Sequence, residues 1–433
     1  MNKLYFDKEV KEYMEKSQGD LIEYSNNRMI TDEKIGLFLS SYTVLFFLVI
    51  SQFKPQSIIG LADYQGGIFS VIDNLWTITQ VVSFLILSVI YMRKFKVHPF
   101  NIFFLISIFH ITMISYLNGS PLSRIGSVLI PPISVLFMIE LSYRYKVFDK
   151  IIVTLYSYFG GLILLNYISM LIFPNSFFTD YRGMDVTWIF GNYQQNLNWF
   201  VVFIAISYYA QKIIGGKARY VNLFTYLIII LTTLKVWSAT TMVALVVMFG
   251  LILFENYVKI YKSINVLFAY LVGIAMTILI AVYEIQQYFS FFIEGVLQKS
   301  VNFSGRMRLW NNTINYIIEK PVFGQGIELS EITFDKIGKT TSHNHYLNLV
   351  YNGGFFYLFL TIFLVYLVSV KIQEYRKSTP IIYMNSAIIG YFVYFLAEAK
   401  INLNIFILLL TIVYYFSIII QEDEYEQVAK SRL

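Results

Sequence analysis

The feature that most constrains this chain is a succession of apolar runs, most about 18–22 residues long, separated by polar stretches. Runs of that length suit helices crossing a hydrocarbon core about 30 Å thick. Inside such a core, backbone N–H and C=O groups must be satisfied by the protein itself, which leaves helices or a closed barrel. Barrel strands would be about ten residues long with alternating polarity, and these runs do not alternate. Composition agrees: 57% of residues are apolar and 14% charged, against about 25% charged in a soluble domain. The fold class expected is therefore an all-α polytopic membrane protein.

Twelve spans are predicted, at 36–53, 74–92, 100–117, 126–143, 151–173, 196–211, 221–236, 238–254, 265–283, 346–370, 381–399 and 402–420. The division at Thr233–Thr241, where Lys235 and Ser238-Ala239-Thr240-Thr241 interrupt an apolar region, predicts a tight hairpin. Residues 36–420 then form a single transmembrane domain, and 421–433 a cytoplasmic tail. Residues 1–35 mix acid and base with near-helical apolar spacing. They fit an amphipathic helix on the membrane surface, a solvated tail being the alternative. No cleavable signal peptide is visible there.

Lysine and arginine set the orientation. Outside the long loop 284–345, one side of this topology carries 22 of them and the other 5. Basic residues favour the cytoplasmic side, and long loops largely escape the rule. Both termini are expected in the cytoplasm, and the loops 174–195 and 284–345 are expected to face outward. The net charge of +6 reflects these topology signals; no aromatic-interleaved basic surface points to nucleic acid. The absence of cysteine removes disulfides, thiolate nucleophiles and thiolate metal sites.

Polar chemistry concentrates between Ser304 and Tyr357. This stretch holds Arg306, Arg308 and Trp310, then Pro321, Gly324 and Gly326, then His343-Asn344-His345-Tyr346 and Gly353-Gly354. Residues 308–318 have the apolar spacing of an amphipathic helix, ended by Pro321 and the glycines. An outward site has no ATP, so a transferase there needs a preactivated donor such as a lipid-linked diphosphate sugar. Its leaving group gains negative charge in the transition state and calls for fixed cations. Arginine holds phosphate oxygens bidentately and stays charged; the outward loops offer Arg124, Arg182, Arg306 and Arg308. An acceptor hydroxyl must lose a proton, and histidine is the default base near neutral pH. His343 and His345 stand just before the tenth span. Glu328, Glu331 and Asp335 are alternative bases without a tight metal-ligand spacing.

At these residues the chain resembles the O-antigen ligase and polysaccharide polymerase family of bacterial envelope glycosyltransferases. The loop pattern matches Arg306, Trp310, Pro321, Gly324 and Gly326. The His-Asn signature followed by a glycine motif matches His343-Asn344, Gly354 and Tyr357. An earlier arginine with an Asn-x-x-Asn element resembles Arg182 and Phe190-Gly191-Asn192 to Asn196. The chain departs from the family at Ser238-Ala239-Thr240-Thr241, where members often carry Ser-Arg; Lys235 is the nearest cation.

The resemblance implies a GT-C-like membrane glycosyltransferase in a bacterial cytoplasmic membrane. It would use an undecaprenyl-diphosphate-linked oligosaccharide and need no metal or other cofactor. Arg306 would bind diphosphate, with Arg182 and Arg124 assisting, and His343 would act as base or orient the acceptor. Arg308, Asn344, His345, Asn196 and Tyr346 would complete the substrate surface. Membrane lipids, a chain-length regulator and a flippase would be its partners. A polymerase joining repeat units is the reading preferred, a ligase the alternative within the family. A flippase or transporter is the rival class, raised by Glu140, Lys235 and Glu398 in or near spans, since charges there line pathways or pair with one another. His98 reads as part of a cytoplasmic basic cluster and His110 as a hydrogen-bonded packing residue.

Overall fold

The computed structural model describes residues 32–93, 98–179, 186–254, 265–289, 306–398 and 402–431. The proposed N-terminal surface helix and Arg182 lie outside them. The helices are α1 (Asp32–Leu39), α2 (Tyr42–Gln52), α3 (Gln56–Gln65), α4 (Ile68–Arg93), α5 (Pro99–Leu117) and α6 (Leu122–Arg144). They continue as α7 (Phe148–Ile172), α8 (Asn196–Ile214), α9 (Ala218–Val236), α10 (Ala239–Leu253) and α11 (Val266–Ala281). After α12 (Arg306–Glu319) and α13 (Ser330–Ile337) come α14 (His345–Glu374), α15 (Thr379–Phe395) and α16 (Leu403–Ser431).

Every predicted span coincides with a helix. Among the described residues eight helices are long and apolar enough to cross a membrane. The pair α1 and α2, bent by 70°, makes a ninth, and α10, α11 and α15 are shorter apolar helices. The chain is thus an all-α multi-pass membrane protein. The predicted hairpin is two residues: α9 stops at Val236, Trp237 turns with a φ of 50°, and α10 starts after Ser238. Two differences stand out. α16 carries on to Ser431 through the segment assigned to the tail. The loop 174–195 holds a small antiparallel sheet, β1 (Phe178–Thr179), β2 (Val186–Trp188) and β3 (Gly191–Asn192).

The most enclosed helices are α6, α8, α15 and α16. α15 packs on α8 and α10, α16 on α6, and α7 on α8. α4 sits at the periphery and leaves Leu75, Ile78, Val82, Leu85 and Val89 exposed. That spacing is one helical face, turned to lipid. At one end, Tyr143 Oη donates to Glu422 and Lys150 Nζ to the Ser40 carbonyl. A buried network joins Glu140 to Arg144 and Asn101 there, and Tyr415 donates to Asn101. Glu140 is fully buried, so the pair neutralises a charge that is costly in hydrocarbon. The first described helix and the last one both reach this end. The other end gathers the loops around 53–57, 118–121, 188–198, 320–344 and 396–404, and is called the loop end below.

The central structural event at the loop end is a break in α14. Gly354 has φ 67° and ψ −173°, a conformation open essentially to glycine alone. The break removes the helical bonds from Phe355 N–H to Tyr351 and from Phe356 N–H to Asn352. The loop after α12 replaces them on both sides. Phe355 N–H donates to the Pro321 carbonyl at 2.8 Å, and Phe356 N–H to Val322 at 3.2 Å. Gln325 N–H donates to the Tyr351 carbonyl and Gly326 N–H to Asn352, each at 2.7 Å. The Gly353 carbonyl meets His110 Nε2 at 2.9 Å. So His110, read from sequence as a hydrogen-bonded packing residue, makes its bond at the break.

The same loop is held from α5. Ser115 Oγ accepts from Ile327 N–H at 2.7 Å, Asn118 Nδ2 donates to the Gln325 carbonyl at 2.8 Å, and Ser120 Oγ to Ile327 at 2.6 Å. A Cβ at Gly354 would run into the carbonyl of Val322, and one at Gly324 would lie 2.5 Å from the Gly354 nitrogen. Gly338 also has a positive φ, of 83°, but open space around it. Gly354→Ala is therefore expected to destabilise the folded protein by at least ~2 kcal/mol more than Gly338→Ala, since only the former adds a clash to the backbone strain. Thermal unfolding of the two variants in detergent checks this.

Candidate active site at the loop end

His343 stands between two immobilised neighbours. Ser342 is fully buried; its carbonyl accepts from Trp310 Nε1 at 2.9 Å, and its Oγ donates to the Asn344 carbonyl at 2.7 Å. Asn344 caps α14, its Oδ1 accepting from Leu347 N–H at 3.0 Å. Its Nδ2 donates to Thr277 Oγ1 at 3.1 Å and to the Leu396 carbonyl at 3.0 Å. One amide therefore ties α14 to α11 and to the end of α15. Asparagine at an N-cap satisfies a donor that the helix leaves orphaned.

Between these anchors His343 adopts φ 51°. A non-glycine residue in the left-handed region carries strain, which collects at functional sites when the surroundings enforce it. Its side chain is 21% exposed, and Nδ1 lies 3.9 Å from Oε1 of Glu398, whose side chain is 3% exposed. A partly open imidazole with a buried carboxylate 3.9 Å away is an arrangement suited to proton transfer: the separation is longer than a hydrogen bond, but the acid's charge favours a protonated ring.

The next two residues turn inward. His345 is buried, its ring centroid 4.1 Å from that of Phe395, and its Nε2 has no hydrogen-bond partner among the described residues. Tyr346 is buried and donates to the Phe392 carbonyl at 3.1 Å.

Arg306 opens α12 and is half-buried. It lies one turn before Trp310, and residues four apart share a helix face. Arg306 thus shares the α12 face whose indole holds the Ser342 carbonyl. Arg308, two residues on, is exposed on another face. Arg124 belongs elsewhere: its Nε is 3.4 Å from the Glu328 carbonyl, and its neighbour Asn118 accepts from Lys320 Nζ at 2.7 Å. It therefore groups with the C-terminal end of α12, not with Arg306. Glu328 accepts from Tyr351 Oη at 2.6 Å and pairs with Lys336. Lys235 donates to the Met170 carbonyl.

The element 190–196 also reaches the end of α15. Phe190 is buried and stacked on Trp199 at 4.9 Å, and Asn192 Oδ1 accepts from Gln194 N–H at 2.9 Å. Tyr394 donates to the Gln194 carbonyl and Tyr391 to Asn198 Oδ1. Asn196 begins α8, is 2% exposed, and its Nδ2 has no hydrogen-bond partner among the described residues. The end of α15 is thus shared by Asn196, Asn344 and Glu398. Sequence reasoning set Glu398 aside as a charge near a span. The signal that could have promoted it is an acid directly after the apolar run that ends at Ala397, beyond any need of a lipid-facing helix.

Removing the Asn344 amide deletes a cap worth about 1 kcal/mol and two buried hydrogen bonds of about 1 kcal/mol each. Asn344→Ala is expected to lose about 2–4 kcal/mol of stability on that basis, read as a lower detergent melting temperature.

Residues 220–362 match the family model described as O-antigen ligase. The match runs from α9 into the second half of α14, so it includes Arg306, Trp310 and His343 and excludes Arg124, Asn196 and Glu398. The match supports the O-antigen ligase and polymerase family, and with it a ligase- or polymerase-type function. No curated protein matches the chain.

Proposed function

We propose, on the premise that residues 220–362 belong with the O-antigen ligase family, that this chain is a polymerase of lipid-diphosphate-linked oligosaccharide repeat units. The donor is an undecaprenyl diphosphate glycan and the product a surface polysaccharide such as capsule or O-antigen. The loop end faces outward from a bacterial cytoplasmic membrane, and both termini lie in the cytoplasm. The 22 to 5 distribution of basic residues supports that orientation. The observation that carries the reading is the strained, partly open His343 backed by the buried Glu398 carboxylate.

In the transfer, the bond between the donor's anomeric carbon and its diphosphate oxygen breaks. A new bond forms from that carbon to an acceptor hydroxyl. The hydroxyl proton passes to His343, held in register by Glu398 as a positioning residue. The departing lipid diphosphate keeps the electron pair, and Arg306, assisted by Arg182, holds its growing charge. Arg308 and Arg124, on other faces of the loop end, fit contacts to the glycan further from the reacting bond. Asn344 and Tyr346 act through the helix packing they secure, and His345 through the wall behind His343. Asn196, with its buried amide nitrogen, faces the same α15 end and is assigned to glycan binding.

The ligase reading differs only in acceptor and is decided by the same experiment. A deletion strain that accumulates single repeat units on the lipid carrier, with no ladder, marks a polymerase. Long carrier-bound polymer missing from its final acceptor marks a ligase.

In that strain, stably inserted His343→Ala and Arg306→Ala are each expected to lower product formation by at least ~100-fold, the scale of a lost general base or a lost charge-stabilising donor. Arg306→Lys should recover little, since an ammonium lacks the planar fork. Glu398→Gln should fall ~10–100-fold and Glu398→Asp less, with melting temperatures unchanged, as for an acid that orients a histidine. Full-length polymer from the Arg306 and His343 variants would refute the assignment.

A further inference from the structure

The turn that closes the break in α14 presents an apolar tip left exposed among the described residues. Val322 is 53% exposed and Phe323 54%, in a segment whose backbone is committed to α14 and α5. Its depth follows from its partners. Phe323's ring centroid is 5.9 Å from that of His110, and the Val322 carbonyl accepts from Phe356 N–H at 3.2 Å. His110 lies seven residues before the loop end of α5, about 10 Å at the helical rise. The tip therefore sits below the end of a membrane-spanning helix, not above it.

The surface around it is the lipid-facing belt. α5 exposes Ile106, Phe109, Met113 and Tyr116 at helical spacing, and α14 exposes Phe355 and Phe359 below the break. Irregular backbone at such depth is tolerated only where the protein satisfies it. Here Pro321 and Val322 give their carbonyls to α14, and Gly324 N–H returns to the Lys320 carbonyl at 2.9 Å. The charged residues beside the tip fit the same placement. Glu319 is exposed at the end of α12, and Lys320 directs its amine back toward the loop end, to Asn118 Oδ1 at 2.7 Å, as a snorkelling lysine does.

We propose that the Lys320–Gly324 turn is a re-entrant anchor, with Val322 and Phe323 immersed among the upper acyl chains of the leaflet on the loop side. The partner is the lipid itself. The anchor fixes the depth of the segment that closes the α14 break, whatever reaction the site performs.

The chain contains no cysteine, so single-cysteine variants of the full protein can be made without further change. Val322→Cys and Phe323→Cys are spin-labelled and reconstituted in phosphatidylcholine–phosphatidylglycerol vesicles. Collision with oxygen is compared with collision with a water-soluble nickel chelate. Phe109→Cys, at a position 67% exposed on α5, is the lipid reference, and Lys339→Cys, in an exposed loop, the aqueous one. The oxygen-to-nickel ratio at both tip sites is expected within about twofold of the lipid reference and at least ~fivefold above the aqueous one, as for a side chain below the headgroups. A ratio like that of Lys339→Cys would overturn the proposal. So would low access to both reagents, which would mean that another protein surface covers the tip.

Discussion

Two backbone hydrogen bonds missing from α14 organise the loop end of this protein. A helix that breaks within a membrane domain leaves carbonyls and N–H groups that lipid cannot satisfy. Each orphan costs several kcal/mol in hydrocarbon. Here the loop between α12 and α13 supplies both halves of the exchange, its carbonyls to Phe355 and Phe356 and its N–H groups to Tyr351 and Asn352. His110 takes the last carbonyl. The result is a rigid joint made from three separate parts of the chain.

That joint explains why the recognisable motif has the composition it has. Pro321, Gly324 and Gly354 are there for backbone approach, and their chemistry is that of a plug. Trp310 extends the same scaffold to Ser342, and Asn344 fastens the following residue to α11 and α15. What these residues hold still is His343, together with the face of α12 that carries Arg306. For the transfer proposed above, groups fixed before the substrate arrives are an advantage, and on that proposal the motif is largely the means of fixing them.

Much of this was legible in the sequence. Helix-length apolar runs found the helices, eight of them long and apolar enough to cross a membrane among the described residues, and apolar spacing found α12, because both are local signals. Asn344 before an apolar run is also a local capping signature, though its place beside His343 suggested substrate contact instead. The three-stranded sheet was invisible because strands of two and three residues are too short to carry a pattern. The α14 break was hidden for another reason: Gly353-Gly354 shows where a helix can open, but not which distant backbone will fill it. The approach of Glu398 to His343 was not legible because the two lie 55 positions apart, and pairing across helices leaves no trace in spacing.

The chain order of the joint bears on how the protein is made. α5, with His110, Ser115 and Asn118, is synthesised first, the loop carrying Pro321 to Gly326 next, and the broken helix last. Translation therefore delivers the filler before the gap. When α14 enters the bilayer, every group its missing turn requires is already present, and the break never has to face lipid on its own.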